Sequence, residues 1–173
     1  VQTTQGTTSQ EVSKNGNGRA SSADTAASTV QTVSLGSVTF SHSWSMWFKF
    51  DAPEEGDGTI PFFVHTGGAD TGTSMRLESS KIRYQVENGS FTNPLGTVAL
   101  AADTWYNFVW TYNHSTGTHN FYVNGVLDGT GGPVTFTGLG LFGLGPNAIR
   151  PSAALYHWDE LYMFDGVLTA NQI

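Results

Sequence analysis

Apolar and polar residues alternate with a period of two along much of the chain, most clearly in Ser43-Trp-Ser-Met-Trp-Phe-Lys-Phe50. Trp44, Met46, Phe48 and Phe50 fall on one side, and Ser43, Ser45, Trp47 and Lys49 on the other. Successive side chains of an extended chain point to opposite faces, so this pattern predicts a strand with one face in a core. Asp51-Ala-Pro-Glu-Glu-Gly-Asp-Gly58 ends it in turn-forming residues. Further strands are predicted over 59–65, 74–77, 81–86, 97–100, 106–112, 119–123 and 153–164, with one more punctuated by Gly138, Gly140, Gly143 and Gly145. Glu78-Ser-Ser80 reads as a hairpin turn. Glu87-Asn-Gly89 and Asn124-Gly125 supply dipeptides that tolerate positive φ, and the second leads into a strand at Val126-Leu127. No long stretch keeps a helical period. The pattern predicts an all-β sandwich.

Residues 1–19 hold almost no large apolar side chain, so burial there does little to offset the entropy of ordering. They are read as a flexible polar arm or linker, and 20–173 as the sandwich. The sandwich opens with a hydroxyl-rich edge segment anchored by Val30, Val33 and Leu35. A start at Val1 and an end at Leu168-Thr-Ala-Asn-Gln-Ile173 suggest a module of a longer protein.

Composition narrows the function. With 7 basic against 14 acidic residues, a net charge of −7, no Lys/Arg cluster exists to displace counterions from phosphates. Nucleic acid is therefore not an expected partner. No apolar run is long enough to cross a bilayer as a helix, so membrane insertion is not expected. Cysteine is absent, which excludes disulfides and thiolate metal sites. Only 12% of residues are charged, and Ser, Thr, Asn, Gln and Gly supply the surface instead. Such a surface fits an extracellular, cell-surface or virion-surface setting.

Three stretches together resemble the laminin-G-like branch of the concanavalin A-like lectin/glucanase superfamily. They are Trp44-Ser-Met-Trp-Phe-Lys49; Asp103-Thr-Trp-Tyr-Asn-Phe-Val-Trp-Thr-Tyr112 with Gly117-Thr-His-Asn-Phe-Tyr-Val-Asn-Gly-Val126; and Trp158-Asp-Glu-Leu-Tyr-Met-Phe164 with Leu168-Thr169. The resemblance covers roughly 38–173 and implies a jelly-roll sandwich of two antiparallel sheets. It also implies that Asp159, with an early acid at Asp24, joins backbone carbonyls around a structural Ca²⁺. The alternative for Asp159 is a carboxylate accepting backbone N–H bonds. No other cofactor is expected.

The fold hosts lectins, adhesion modules, glycosidases and spacers, so function must come from a site. A glycosidase needs two carboxylates that project together. Glu55 and Asp57 alternate correctly but sit in a Gly/Pro loop, while Asp159 and Glu160 are adjacent and point to opposite faces of a regular strand. No catalytic residue is assigned. His42, His65, His114, His119 and His157 read as solvated or hydrogen-bonded rather than metal-binding. Sugar rings stack on aromatic faces, which makes Trp47, Tyr84 and Trp158 the binding candidates, with Arg83 and Asn88 as hydrogen-bonding partners. Trp105 and Trp110 are assigned to the core. Two sequons, Asn88-Gly-Ser90 and Asn113-His-Ser115, fall in predicted turns.

The expected function is a non-catalytic carbohydrate-recognition or adhesion module, its partner a surface glycan. The alternative is a structural decoration or fibre domain that contacts neighbouring subunits, and a glycoside hydrolase ranks third.

Overall fold

The computed structural model describes residues 2–3, 8–13, 16–22, 31–37, 39–50, 62–65, 71–89, 91–136, 139–144 and 155–173, with side chains over 39–50, 72–89, 92–136 and 157–173. Asp24, Glu55, Asp57 and the side chain of His65 lie outside the described residues.

The strands are β1 (Gln2–Thr3), β2 (Thr8–Ser13), β3 (Gly16–Ser22), β4 (Gln31–Ser37), β5 (His42–Phe50), β6 (Phe62–His65) and β7 (Thr71–Glu78). They continue with β8 (Lys81–Asn88), β9 (Phe91–Thr92), β10 (Tyr106–Asn113), β11 (Thr118–Val123), β12 (Val126–Gly131), β13 (Leu139–Leu144) and β14 (Leu155–Asp165). Two seven-stranded antiparallel sheets result, ordered β1-β4-β13-β6-β7-β8-β9 and β12-β11-β10-β5-β14-β3-β2. The all-β jelly-roll sandwich expected from the sequence is the observed fold. Pairing also runs through the stretch read as a polar arm, where β2 joins β3 from Thr8↔Ser21 to Ser13↔Gly16.

The core fills the space between the sheets with the residues that alternation selects. Trp44, Met46, Phe48 and Phe50 of β5 and Tyr106, Phe108, Trp110 and Tyr112 of β10 face Met75, Leu77, Ile82, Tyr84 and Val86 of the opposite sheet. Tyr84 lies flat on Phe121, ring centres 4.2 Å apart.

One polar group ties the two sheets and a loop together. Asp128 of β12 is buried and accepts the Tyr84 hydroxyl of β8, Thr97 N at 2.6 Å and Val98 N at 2.7 Å. This corrects the strand expected over 97–100: those backbone amides bond to a side chain and leave no ladder to form. Gly96 lets the loop approach, because a Cβ there would lie 2.1 Å from the Asp128 carboxylate.

The hairpins follow the turn chemistry. Asn124 and Gly125 both take positive φ, 50° and 78°, as a two-residue type I′ turn requires. Ser79 and Ser80 adopt the same region, at 51° and 58°, without a glycine.

Candidate functional site

Trp47 is on the side of β5 turned away from the core, and β5 pairs with β10 so that Asn107 lies directly opposite it. Trp105 precedes β10, in the same outward phase as Asn107. The β11–β12 turn reaches the same end of the sheet, because Asn124 is clamped to Asn107: Asn124 N donates to Asn107 O at 2.8 Å, and Asn107 N donates to Asn124 Oδ1 at 2.9 Å. Ile173 closes the group. Trp47, Trp105, Asn107, Asn124, Gly125 and Ile173 line an open groove of about 600 Å³.

Ile173 reaches the groove because the chain after β14 doubles back over the outer face of this sheet. Gly166 N donates to Ser41 O at 3.0 Å. Ser43 Oγ then donates to Gly166 O at 2.9 Å and accepts from Leu168 N at 3.0 Å. Thr169 and Gln172 close a reciprocal ring, Thr169 N and Oγ1 donating to Gln172 Oε1 and Gln172 N to Thr169 O. This strap, residues 166–173, runs from Ser43 to Trp47. Its bonds to Ser43 accompany the full burial of that serine on a face that alternation turns outward.

The surroundings of the groove are polar and mixed in charge. Lys49 Nζ stands 6.0 Å from the centre of the Trp105 ring and 3.7 Å from the Asp103 carboxylate. His157 meets the Trp105 ring edge-on at 6.5 Å. Two indoles beside two amides, open to solvent, form a surface that stacks on an apolar ring face and hydrogen-bonds at its edge.

A family model described as the concanavalin A-like lectin/glucanases superfamily, of laminin G type, matches residues 15–173. The chain belongs to that superfamily. No curated protein sequence matches this concanavalin A-like chain. Solved structures similar to it include the binding domain of Paraclostridial mosquitocidal protein 1, with a TM-score of 0.74 at 10% identity over 99% of this chain and 45% of that one. The receptor binding domain of botulinum neurotoxin type G gives 0.70 at 11% over 99% and 44%. A botulinum neurotoxin type C structure gives 0.64 at 15% over 99% and 44%. The chain thus spans less than half the length of these structures, and the likeness is one of fold.

Of the residues expected to bind a sugar by stacking and hydrogen bonding, Trp47 alone lines the groove. Tyr84 is a correction: it is fully buried, stacked on Phe121 and bonded to Asp128, so neither ring face meets solvent. Burial and the contact with Asp128 also push its hydroxyl pKa well above the usual value. Trp158 is a second correction, 5% exposed on the core side of β14 opposite Phe48. Arg83 forms a two-pronged ion pair with Glu78 and donates to Asn93 O at 3.0 Å, which commits its guanidinium to the β7–β8 hairpin. Asn88 donates to Thr135 O at 2.6 Å, in the connection between β12 and β13. Trp105, assigned to the core, is instead half-buried in the groove. Its signal was the alternation itself: Tyr106 and Phe108 face inward, so Trp105 and Asn107 face outward.

Asp159 of β14 is half-buried opposite Trp47. The described residues contain no group of three or more acidic or imidazole side chains able to hold a metal ion. Regular alternation also fails at Asp159 and Glu160, because β14 bulges between Asp159 and Tyr162 and Glu160 takes a φ of 50°. Of the histidines, His119 is fully buried; its Nδ1 accepts the Trp110 indole N–H at 3.2 Å, and its Nε2 pairs with Val134 O at 2.8 Å. His42 bonds Phe40 O through Nδ1, and His114 bonds the Tyr112 hydroxyl.

Proposed function

We propose that this chain is a non-catalytic module that recognises carbohydrate displayed on a surface, and that it does so through the groove of Trp47 and Trp105. The supporting observation is the pairing of two half-buried indoles with two amides in one open groove. An aromatic left partly in water gives up packing area, and a stacked sugar ring would recover it. The related structures point the same way. One concerns a botulinum neurotoxin type C whose cell entry depends on two ganglioside molecules, and a neurotoxin DC binding domain was solved with SialylT. Because the glycosidase chemistry of this superfamily needs a pair of converging carboxylates, a groove lined by indoles and amides favours binding over hydrolysis.

A glycan array probed with the full chain, Trp47→Ala and Trp105→Ala tests this reading. Specific signals from the wild type should weaken by about tenfold or more in both variants, the expected result of losing a stacking face. Equal signals from variants and wild type would move the site elsewhere, and a blank array would end the carbohydrate reading. Calcium has no part in it, so chelation should leave the array unchanged; loss on chelation would make Asp159 a ligand.

A second reading, a module that assembles with neighbouring subunits, draws on a different surface. Tyr162, Phe164 and Val167 are exposed by 55%, 37% and 41% along the end of β14 and the start of the strap. A neurotoxin DC binding domain with the same fold was solved with a protein, rat synaptotagmin II. Sedimentation of the full chain that shows self-association, abolished by Tyr162→Ser with Phe164→Ser, would favour this reading.

A further inference from the structure

The two amides of the groove differ in what they leave open. Asn124 Oδ1 is taken by a backbone donor, Asn107 N, and a backbone N–H only donates. The amide orientation is therefore fixed, and Asn124 Nδ2 carries no bond to any described residue. Asn107 presents the other end: its Nδ2 lies 3.5 Å from Ser45 Oγ, and its Oδ1 bonds to no described residue. The two side chains lie side by side because the backbone of one clamps the other. One edge of the groove therefore presents a donor next to an acceptor, beside two aromatic faces.

None of the six lining residues has a charged side chain. The cation beside the groove, Lys49, is engaged by Asp103 and lies over the Trp105 ring. A carboxylate entering here would lose hydration beside a described cation already paired with Asp103, in a chain that carries a net charge of −7. A hydroxyl both donates and accepts, so two neighbouring hydroxyls match the two amides with neither left over.

We propose that the groove selects an uncharged pyranose with two adjacent hydroxyls, Asn124 donating to one and Asn107 accepting from the other. This rests on carbohydrate recognition at the groove. The C–H face of the ring lies on the indoles, and the hydroxyl pair points to the β11–β12 turn. The space beside Gly125 is open on this side, where a Cβ would meet no described atom within 4 Å.

The two asparagines therefore respond oppositely to the same substitution. Asn124→Asp keeps the oxygen that accepts Asn107 N and preserves an Asp-Gly turn, but it removes the donor and adds a negative charge. Asn107→Asp keeps an acceptor. The experiment follows the indole Nε1–H resonances of the full chain while methyl hexopyranosides, glucuronic acid or N-acetylneuraminic acid are titrated in. Neutral glycosides should shift the Trp47 and Trp105 signals, and their affinity should be insensitive to salt. The two acids should bind about tenfold more weakly or worse. Affinity for the neutral glycosides should fall by about tenfold or more in Asn124→Asp and by clearly less in Asn107→Asp, which keeps the acceptor. Backbone spectra of the two variants report whether the turn is intact. Tighter binding of the acids, weakened by salt, would overturn the neutral class and leave carbohydrate recognition standing. Equal losses in the two variants with the turn intact would overturn the hydroxyl assignment. If no sugar of either kind shifts an indole signal, carbohydrate recognition at this groove fails, and this inference with it.

Discussion

At the scale of single residues, the sharpest division is between polar groups that build the sandwich and those left open to a ligand. Asp128 belongs to the first kind. Its carboxylate answers two backbone amides and the Tyr84 hydroxyl in a site with 4% exposure. Asp128→Ala would leave these donors without an acceptor, a loss of about 1–3 kcal/mol for each that stays dry. We expect the variant to lose at least about 3 kcal/mol in denaturant unfolding. Asp128→Asn, which keeps one oxygen for Thr97 N and Val98 N, should recover much of it. The role was invisible in the sequence: Asp128 follows a hairpin turn among small residues, and only the fold brings Tyr84 and the 93–102 loop to it. Tyr84 was misread although the signal was local: it shares the apolar phase of β8 with Ile82 and Val86, against Lys81, Arg83, Gln85 and Glu87, and that phase is the buried one.

At the scale of elements, the hairpins and the aromatic strands were legible because their information is local. Asn124-Gly125 encodes its own turn, and β5 and β10 encode their inner faces by alternation. The strap was not legible, since its eight residues, with four apolar side chains at 167, 168, 170 and 173, carry no period. Its place is set by Ser43, an outward-phase serine with no exposure that bonds the strap twice. Ser43→Ala removes both bonds, about 1–2 kcal/mol in all. A terminal segment can fray without the sandwich opening, so this loss should appear as local release. Hydrogen exchange at the Leu168 amide should accelerate by roughly 5- to 30-fold. The amide exchange of β10 should not change. If both accelerate together, strap and sheet are one cooperative unit, and the groove wall formed by Ile173 cannot move by itself.

At the scale of the whole molecule, the stability of the sandwich should depend on pH through the histidines enclosed at one end of the core. His42, Tyr112 and His119 stand in one row across β5, β10 and β11, with Asp165 opposite His42 and His114 bonded to the Tyr112 hydroxyl. Burial lowers the His119 pKa from its ordinary 6.5 to about 4; the bond to Val134 O opposes this, and the nearby His42 reinforces it. His42 is also lowered, chiefly by burial. A proton on His119 would fall on Nδ1, where the ring accepts the Trp110 indole N–H, so protonation breaks a core hydrogen bond. Between the two pKa values the unfolded chain binds the proton and the folded chain does not. Stability is therefore complete above about 6.5 and lost as the pH falls toward 4, by roughly 3 kcal/mol for His119. Most of that window lies above the range in which exposed carboxylates titrate, which separates the two sources of acid sensitivity. Denaturant unfolding at pH 7.5, 6.0 and 5.0 should show stability falling at each step. His119→Gln, which keeps a donor and an acceptor but cannot titrate, should flatten the fall even if it is less stable at pH 7.5. A wild-type slope that survives in the variant would shift the effect to His42, whose replacement would then be the next measurement.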